Sequence, residues 1–429
     1  MNPKAIYIMS KAALIDYGCH SFTYRLATHL DDQGFPISYF ANGSLESPNL
    51  ASLGTWIHER PSLVRNITCH APYGKVSLSG RLKGEVEWAG RCIEALEKDP
   101  PIVIIASTVP LVPLLRIQAW ALRHGIPFVY WLQDFQGRAM HDLLGRKFGF
   151  LGKLAGNLAS MWEQRALARS DMVITIAPGH EKQLPRSVLK SGRHALLENW
   201  ANIEEIPVLP PDNDWARRHG FHRTTNIVYS GTLGLKHDLD MFYALAAALK
   251  NRADTRIVIV SSGQAADFVR QEAASRGLDN IVSLPFQPYA NVPEVLASSA
   301  ILIAPLERSA GSFCVPSKIL SYLCAGRPTV LAIDAENLAA KMIDRAGAGI
   351  TVDPGHPEKF IAAVTWLLDR PEVRLEAGQS ARNYAETAFS IVRVVPRFLK
   401  ILDLAGCEVL SIPQIPVTRP KPLRVTNAG

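Results

Sequence analysis

Residues Ile301–Ile333 read ILIAPLERSAGSFCVPSKILSYLCAGRPTVLAI. Ile301–Ala304 is a short apolar run closed by Pro305, the mark of a buried strand. A polar, glycine-containing loop follows from Glu307 to Val315, and Pro316-Ser317-Lys318 then places proline where a first helical turn accepts it. Ile319, Leu320, Tyr322 and Leu323 continue a helix that stops at Ala325-Gly326, with Pro328 just beyond. Thr329–Ile333 is a second strand, rich in β-branched residues. The stretch is therefore strand, loop, helix, strand, with a loop aimed at a helix start, where free N–H groups suit a phosphate. Lys318 in that first turn opposes the helix dipole, and an anionic ligand would explain it. A surface lysine on an ordinary βα unit has the same pattern.

The same alternation runs outward through the chain. Ala5–Met9, Ile37–Ala41, Ile102–Ala106, Ile126–Leu132, Met172–Ile176 and Ala195–Leu197 read as strands separated by helical segments in the first half. Asn226–Ser230, Arg256–Ser261, Ile281–Leu284, Ile301–Ala304, Thr329–Ile333 and Gly349–Val352 repeat the pattern in the second. Alternation of this kind implies parallel, doubly wound α/β sheets. Between about 203 and 225 the composition turns to proline, aspartate and asparagine, as an inter-domain linker does. The expected organisation is a domain over 1–205, a second over 206–385, a C-terminal helix at 386–410 returning to the first domain, and a mobile tail at 411–429. Residues 44–82 lack a readable period.

At 429 residues the chain is too long for one hydrophobic core. With 48% apolar and 20% charged residues it has the balance of a globular enzyme. The six cysteines form neither a C-x-x-C pair nor a zinc spacing, so no metal is expected. No secretory pattern opens the chain and its longest apolar run is broken by Pro110 and Pro113, so a cytoplasmic protein is expected. A net charge of +7 favours anionic partners: phosphorylated small molecules, acidic lipid or nucleic acid. The basic residues are dispersed without an aromatic-and-basic motif, which argues against nucleic acid. Gly137–Arg169 mixes six bases with exposed-looking Met, Leu, Phe and Trp, and fits either a helix lying on an anionic membrane or one packed on the sheet with a basic outer face.

Two loops of the second half are candidates for holding a diphosphate. Gly231-Thr232-Leu233-Gly234-Leu235-Lys236 offers close backbone approach and a point charge, and the loop into Pro316-Ser317-Lys318 follows another strand of the same sheet. Ligands of open α/β sheets bind at the carboxyl ends of strands. Asp134 and Gln133 stand at such an end, after Ile126–Leu132, and Gly18 lies in the loop after the first strand. An N-cap is the structural alternative for Asp134. Asp238-Leu239-Asp240 has the D-x-D spelling of some metal sites but stands at a helix start, where aspartates serve as caps.

The segments YSGTLGLKHDLDMFYALAAAL, LERSAGSFCVPSKILSYLCAGRPTVLAI and AGAGITVDPGHPEKFIAAVTWLL resemble glycosyltransferase family 4, and YWLQDFQ and LENWANI resemble its colanic-acid and exopolysaccharide branch. That resemblance implies the GT-B architecture: two Rossmann-like domains facing across a cleft, acceptor on the first and nucleotide-sugar donor on the second. It implies anomeric retention, no metal, and no cofactor beyond the nucleotide sugar as co-substrate. Carried onto this chain, Gly231 and Lys236 match the phosphate loop, with Thr232 where many members carry arginine. Phe286 and Gln287 match the nucleobase loop. Glu307 is a loose match for the first residue of the acidic pair, and Ser321 replaces the second. Ser312, Pro316, Ser317 and Lys318 fall in the donor motif, and Asp134 falls near the catalytic or acceptor-orienting position. The implied activity is transfer of a sugar, from a UDP-sugar before other donors, to a lipid-linked or glycan acceptor; on the membrane alternative for 137–169, that stretch would dock the protein to the inner leaflet. A nucleotide-sugar epimerase or hydrolase of the same fold is the alternative enzyme, and a basic nucleic-acid-binding protein the alternative from another class.

Overall fold

A computed structural model describes residues 5–10, 21–41, 63–67, 78–201, 203–234, 237–306 and 317–407. The first sheet holds β1 (Ile6–Ser10), β2 (Ile37–Ala41), β3 (Val64–Asn66), β4 (Val103–Ser107), β5 (Phe128–Leu132), β6 (Met172–Thr175) and β7 (His194–Leu196). The second holds β8 (Thr225–Ser230), β9 (Thr255–Val260), β10 (Ile281–Leu284), β11 (Ile301–Pro305), β12 (Thr329–Ala332) and β13 (Gly349–Val352). Every ladder is parallel, in the orders β3-β2-β1-β4-β5-β6-β7 and β10-β9-β8-β11-β12-β13. Strands such as VIIAS, FVYWL and ILIAP are buried at every position, as parallel strands with helices on both faces must be. In both sheets the direction of winding reverses once, between β1 and β4 and between β8 and β11. A crevice opens there at the carboxyl ends.

Four helices matter for the site: α1 (Ser21–Asp32), α2 (Leu111–Arg123), α3 (Gln136–Arg169) and α4 (Lys318–Cys324). A fifth, α5 (Ile391–Leu404), ends the described chain and lies against α1 and β6 of the first sheet. Phe398 of α5 is fully buried, 5.6 Å from the ring of Trp131. The proline-rich connection is packed rather than loose. Trp215 is buried and donates its indole N–H to Gln287 at 2.9 Å, while its backbone N–H reaches Glu294 at 2.9 Å. Arg327 and Arg382 hold the connection by its carbonyls at Leu209 and Ile206.

The sequence pattern over 137–169 suggests one long amphipathic helix; the structure breaks it. Gly149 has φ 57° and ψ −130°, and the two arms fold back on each other as an antiparallel hairpin. Glycines let them close. A Cβ on Gly156 would lie 2.2 Å from the Cα of His141, and one on Gly152 would lie 1.9 Å from the carbonyl oxygen of Leu144. At the hairpin root, the buried Glu163 accepts the backbone N–H groups of Gln136 at 2.8 Å and Gly137 at 3.0 Å. It thus caps the first arm from the second.

Burial raises the pKa of Glu163 against the lowering pull of the Gly137 and Gln136 N–H groups, and the nearby Asp134 charge raises it further. The folded protein therefore holds this proton to higher pH than the unfolded chain does. The stability that comes with it is present at acid pH and is lost as pH climbs from about 4.5 through the raised value. Urea midpoints of the wild type are expected to fall over that range relative to Glu163→Gln, which has nothing to titrate. Parallel curves would show that Glu163 is ionised throughout.

Candidate active site

The crevice of the second sheet is built by the end of β8, the start of α4 and the turn beyond Gly231. Lys318 opens α4 and is half-buried. Its ammonium lies 3.9 Å from the centre of the Tyr229 ring, donates to the Tyr229 hydroxyl, and stands 3.2 Å from His237 Nε2. Tyr229 donates in turn to the Thr232 carbonyl at 2.8 Å. His237 is anchored to the turn through Nδ1, which accepts the Gly234 backbone N–H at 3.1 Å. Burial pushes the Tyr229 pKa well up, so the phenol stays neutral beside the lysine. A positive charge thus stands at the carboxyl end of the sheet, positioned by the ring and hydroxyl of Tyr229 and by His237.

Gly231 has φ 143°, and a Cβ there would meet Lys318 Cε at 3.0 Å and Nζ at 3.3 Å. Glycine is needed twice over, for its backbone and for the lysine's space. Tyr322 fixes the strand end from below, taking the Ser230 N–H at 3.1 Å. Ser261 takes the Leu233 N–H at 3.1 Å and ties the turn to β9. Thr232 is exposed at the rim. Phe286, also exposed, follows β10, two strands from β8, or about 10 Å at ordinary strand spacing. That separation suits a nucleoside lying between an aromatic side chain and a diphosphate-binding turn.

The structure brings together Gly231, Thr232 and Lys318, and sets Ser317 beside them as the residue before α4. Gln287 is turned elsewhere: its oxygen holds Trp215 and its amide nitrogen the Pro285 carbonyl at 2.9 Å. Gly18, Lys236, Glu307, Ser312 and Pro316 lie outside the described residues. Asp238 accepts the Met241 N–H at 3.3 Å, a local cap of the helix start, and the exposed Asp240 faces Arg276 at 3.9 Å. Among the described residues no three of His, Cys, Asp and Glu gather as a metal site would need.

On the first sheet Asp134 is exposed just beyond β5. It is not the N-cap of α3, since Phe135 holds that position and Glu163 does the capping. Gln133 accepts from Asn199 at 2.7 Å, so the segments YWLQDFQ and LENWANI meet in space, with the Trp131 and Trp200 rings 6.0 Å apart. Sequence reasoning missed His237, Tyr229 and Thr108. Thr108 follows β4 at the winding reversal with φ 53°, the one non-glycine positive φ among the described residues, and its hydroxyl lies 2.6 Å from that of Ser10. A β-branched residue in that conformation is strained, a feature that collects at ligand sites. No local signal marks it. His237 stood next to a lysine already singled out.

Family comparison agrees in both halves. Residues 17–200 match the model described as a glycosyl transferase 4-like domain, and residues 224–370 the model for glycosyl transferases group 1. An alpha-D-kanosaminyltransferase of Streptomyces kanamyceticus is 25% identical over 176 residues, which are 41% of this chain and 44% of that one. Among solved structures, sucrose-phosphate synthase of Thermosynechococcus elongatus superposes with a TM-score of 0.71 at 14% identity, over 94% of this chain and 100% of the other. Anabaena HepE in complex with UDP and glucose superposes at 0.68 and 13% identity, over 93% and 99%. WaaG, a glycosyltransferase involved in lipopolysaccharide biosynthesis, superposes at 0.64 and 14% identity, over 92% and 99%.

Proposed function

The chain belongs to the GT4-type glycosyltransferases of GT-B fold, and we propose that it moves a sugar, with retention at the anomeric carbon, from a UDP-sugar to a lipid-linked or glycan acceptor of an exopolysaccharide or glycolipid. The observation that carries this reading is the ammonium of Lys318 at the crevice between β8 and β11. Breaking the bond between the sugar and its diphosphate leaves charge on the departing phosphate oxygen. A preorganised cation and backbone N–H groups at that place stabilise it. Gly231 permits the approach and Phe286 offers a face for the base; Lys236, outside the described residues, is assigned the second charge on its place in the sequence. Asp134, across the cleft, takes the place beside the acceptor hydroxyl. HepE is seen with UDP and glucose, which supports the choice of donor. The lysine pair supplies the charge that a divalent ion supplies elsewhere, so EDTA is expected to leave the rate unchanged. The protein works on the cytoplasmic side, at the membrane. Among the described residues no helix is long and apolar enough to cross it.

Calorimetric titration with UDP, GDP, ADP and their sugars, in EDTA, tests the donor. Tight binding of UDP alone, with proton NMR of the product showing the donor's anomeric configuration, is the expected result. Binding of no nucleotide would remove the transferase reading. Turnover of the UDP-sugar that never needs an acceptor would replace it with hydrolysis or epimerisation.

A further inference from the structure

The donor chemistry does not use the α3 hairpin, whose second arm is buried on one side only. Gly152, Gly156, Ala159 and Glu163 face the first arm or the body. The opposite side carries Phe150, Leu154, Leu158 and Met161 at helical steps, with Leu151 and Trp162 beside them, all exposed; Phe150 reaches 79% and Leu151 72%. Side chains of this kind normally face a core. The stripe runs from Phe150 to Trp162, about 18 Å at the helical rise. Charge is gathered at its two ends. Arg146, Lys147 and Lys153 surround the Gly149 turn, and Arg165 and Arg169 stand at the root. The hairpin's acids are Asp142 on the first arm and the buried Glu163. At the root the surface continues onto α2. There Leu115, Leu122 and Trp162 join Arg165 and Arg169 around a cavity of about 200 Å³.

We propose that this face lies on an anionic phospholipid surface, with the stripe at the boundary of headgroups and acyl chains and the two basic ends on headgroup phosphates, the root cavity receiving one of them. This deepens the reading of the protein as a transferase at the membrane and rests on it for its purpose. The apolar side chains run from the turn, where Phe150 and Leu151 are the most exposed, along the arm to Trp162, so the arm lies along the surface with its turn set deepest. Hydrophobic and basic character together select lipid. A second copy packed on the same face by two-fold symmetry would set basic ends against apolar or basic ones, with no acid on the stripe to pair them. Asp134 stands two residues before the hairpin begins, so docking holds the acceptor end of the first sheet at the bilayer. The acceptor is then an amphiphile whose reacting hydroxyl projects from its headgroup.

Flotation of the full chain with vesicles of phosphatidylglycerol and phosphatidylcholine tests this, beside vesicles of phosphatidylcholine alone. Binding is expected only to the anionic vesicles. It is expected to fall about tenfold or more in Leu154→Glu/Leu158→Glu and, separately, in Arg146→Glu/Lys147→Glu/Lys153→Glu, with thermal unfolding and UDP binding as in the wild type. Equal binding to neutral vesicles, or vesicle binding undiminished in the leucine variant, would overturn the proposal. So would a wild type that is dimeric by light scattering and a leucine variant that is monomeric. Because UDP binding is read on the same samples, loss of the donor site and loss of the lipid surface remain separate results.

Discussion

Lys318→Ala is expected to lower kcat and kcat/KM for the sugar nucleotide together, by about 10²–10³-fold, as removal of one preorganised donor to a developing oxyanion does. The ammonium sits over the Tyr229 ring and beside His237 and Gly231, so its position is set before any ligand arrives. Alanine removes the charge and leaves Tyr229 with its second bond, to the Thr232 carbonyl, so the strand end should keep its shape. Lys318→Arg is not expected to restore the rate. A planar guanidinium does not reproduce the point charge that the ammonium sets over the Tyr229 ring, at its hydroxyl and beside His237. Steady-state kinetics with a UDP-sugar, alongside circular dichroism, would decide it. A variant within threefold of the wild type would move the leaving-group role to Lys236 or the backbone.

Phe398→Ala is expected to cost about 3–5 kcal/mol, the usual price of emptying a buried phenylalanine site. Phe398 is wholly inaccessible and lies 5.6 Å from Trp131, which in turn meets Phe22 at 5.4 Å. The ring therefore joins the C-terminal helix α5 to β5 and α1 of the first sheet, and so ties the far end of the chain to the strand that carries Asp134. Urea denaturation should show a lower midpoint, and the first domain should lose protection in hydrogen exchange before the second. A loss below 1 kcal/mol would mean that α5 is held by its other apolar side chains alone.

Periodicity and local composition suffice to read off most of the strands. Ile301–Ala304 and Phe128–Leu132 are apolar at each position because parallel strands are covered on both faces, and such runs are legible without knowing what covers them. The segments around Gly231 and Lys318 were legible for the same reason, each being a local signal of turn and helix start. The hairpin was not. Gly149 reverses the chain inside a stretch whose apolar and basic residues continue the same pattern on both sides, and nothing in the local pattern distinguishes it from Gly145, Gly152 and Gly156, which stay helical. Gln287 reads as a loop side chain free for a base, and only the fold reveals Trp215 holding it.

By itself, then, the sequence determined the class of fold and its two runs of alternating strands and helices. Each of these depends on residues close together in the chain. The tertiary structure alone decided that Lys318 meets Tyr229 and His237, that Glu163 caps the arm beginning at Gln136, and that Thr108 is strained against Ser10. These contacts join residues tens of positions apart, and their geometry follows from how strands and helices stack. No period in the chain encodes that.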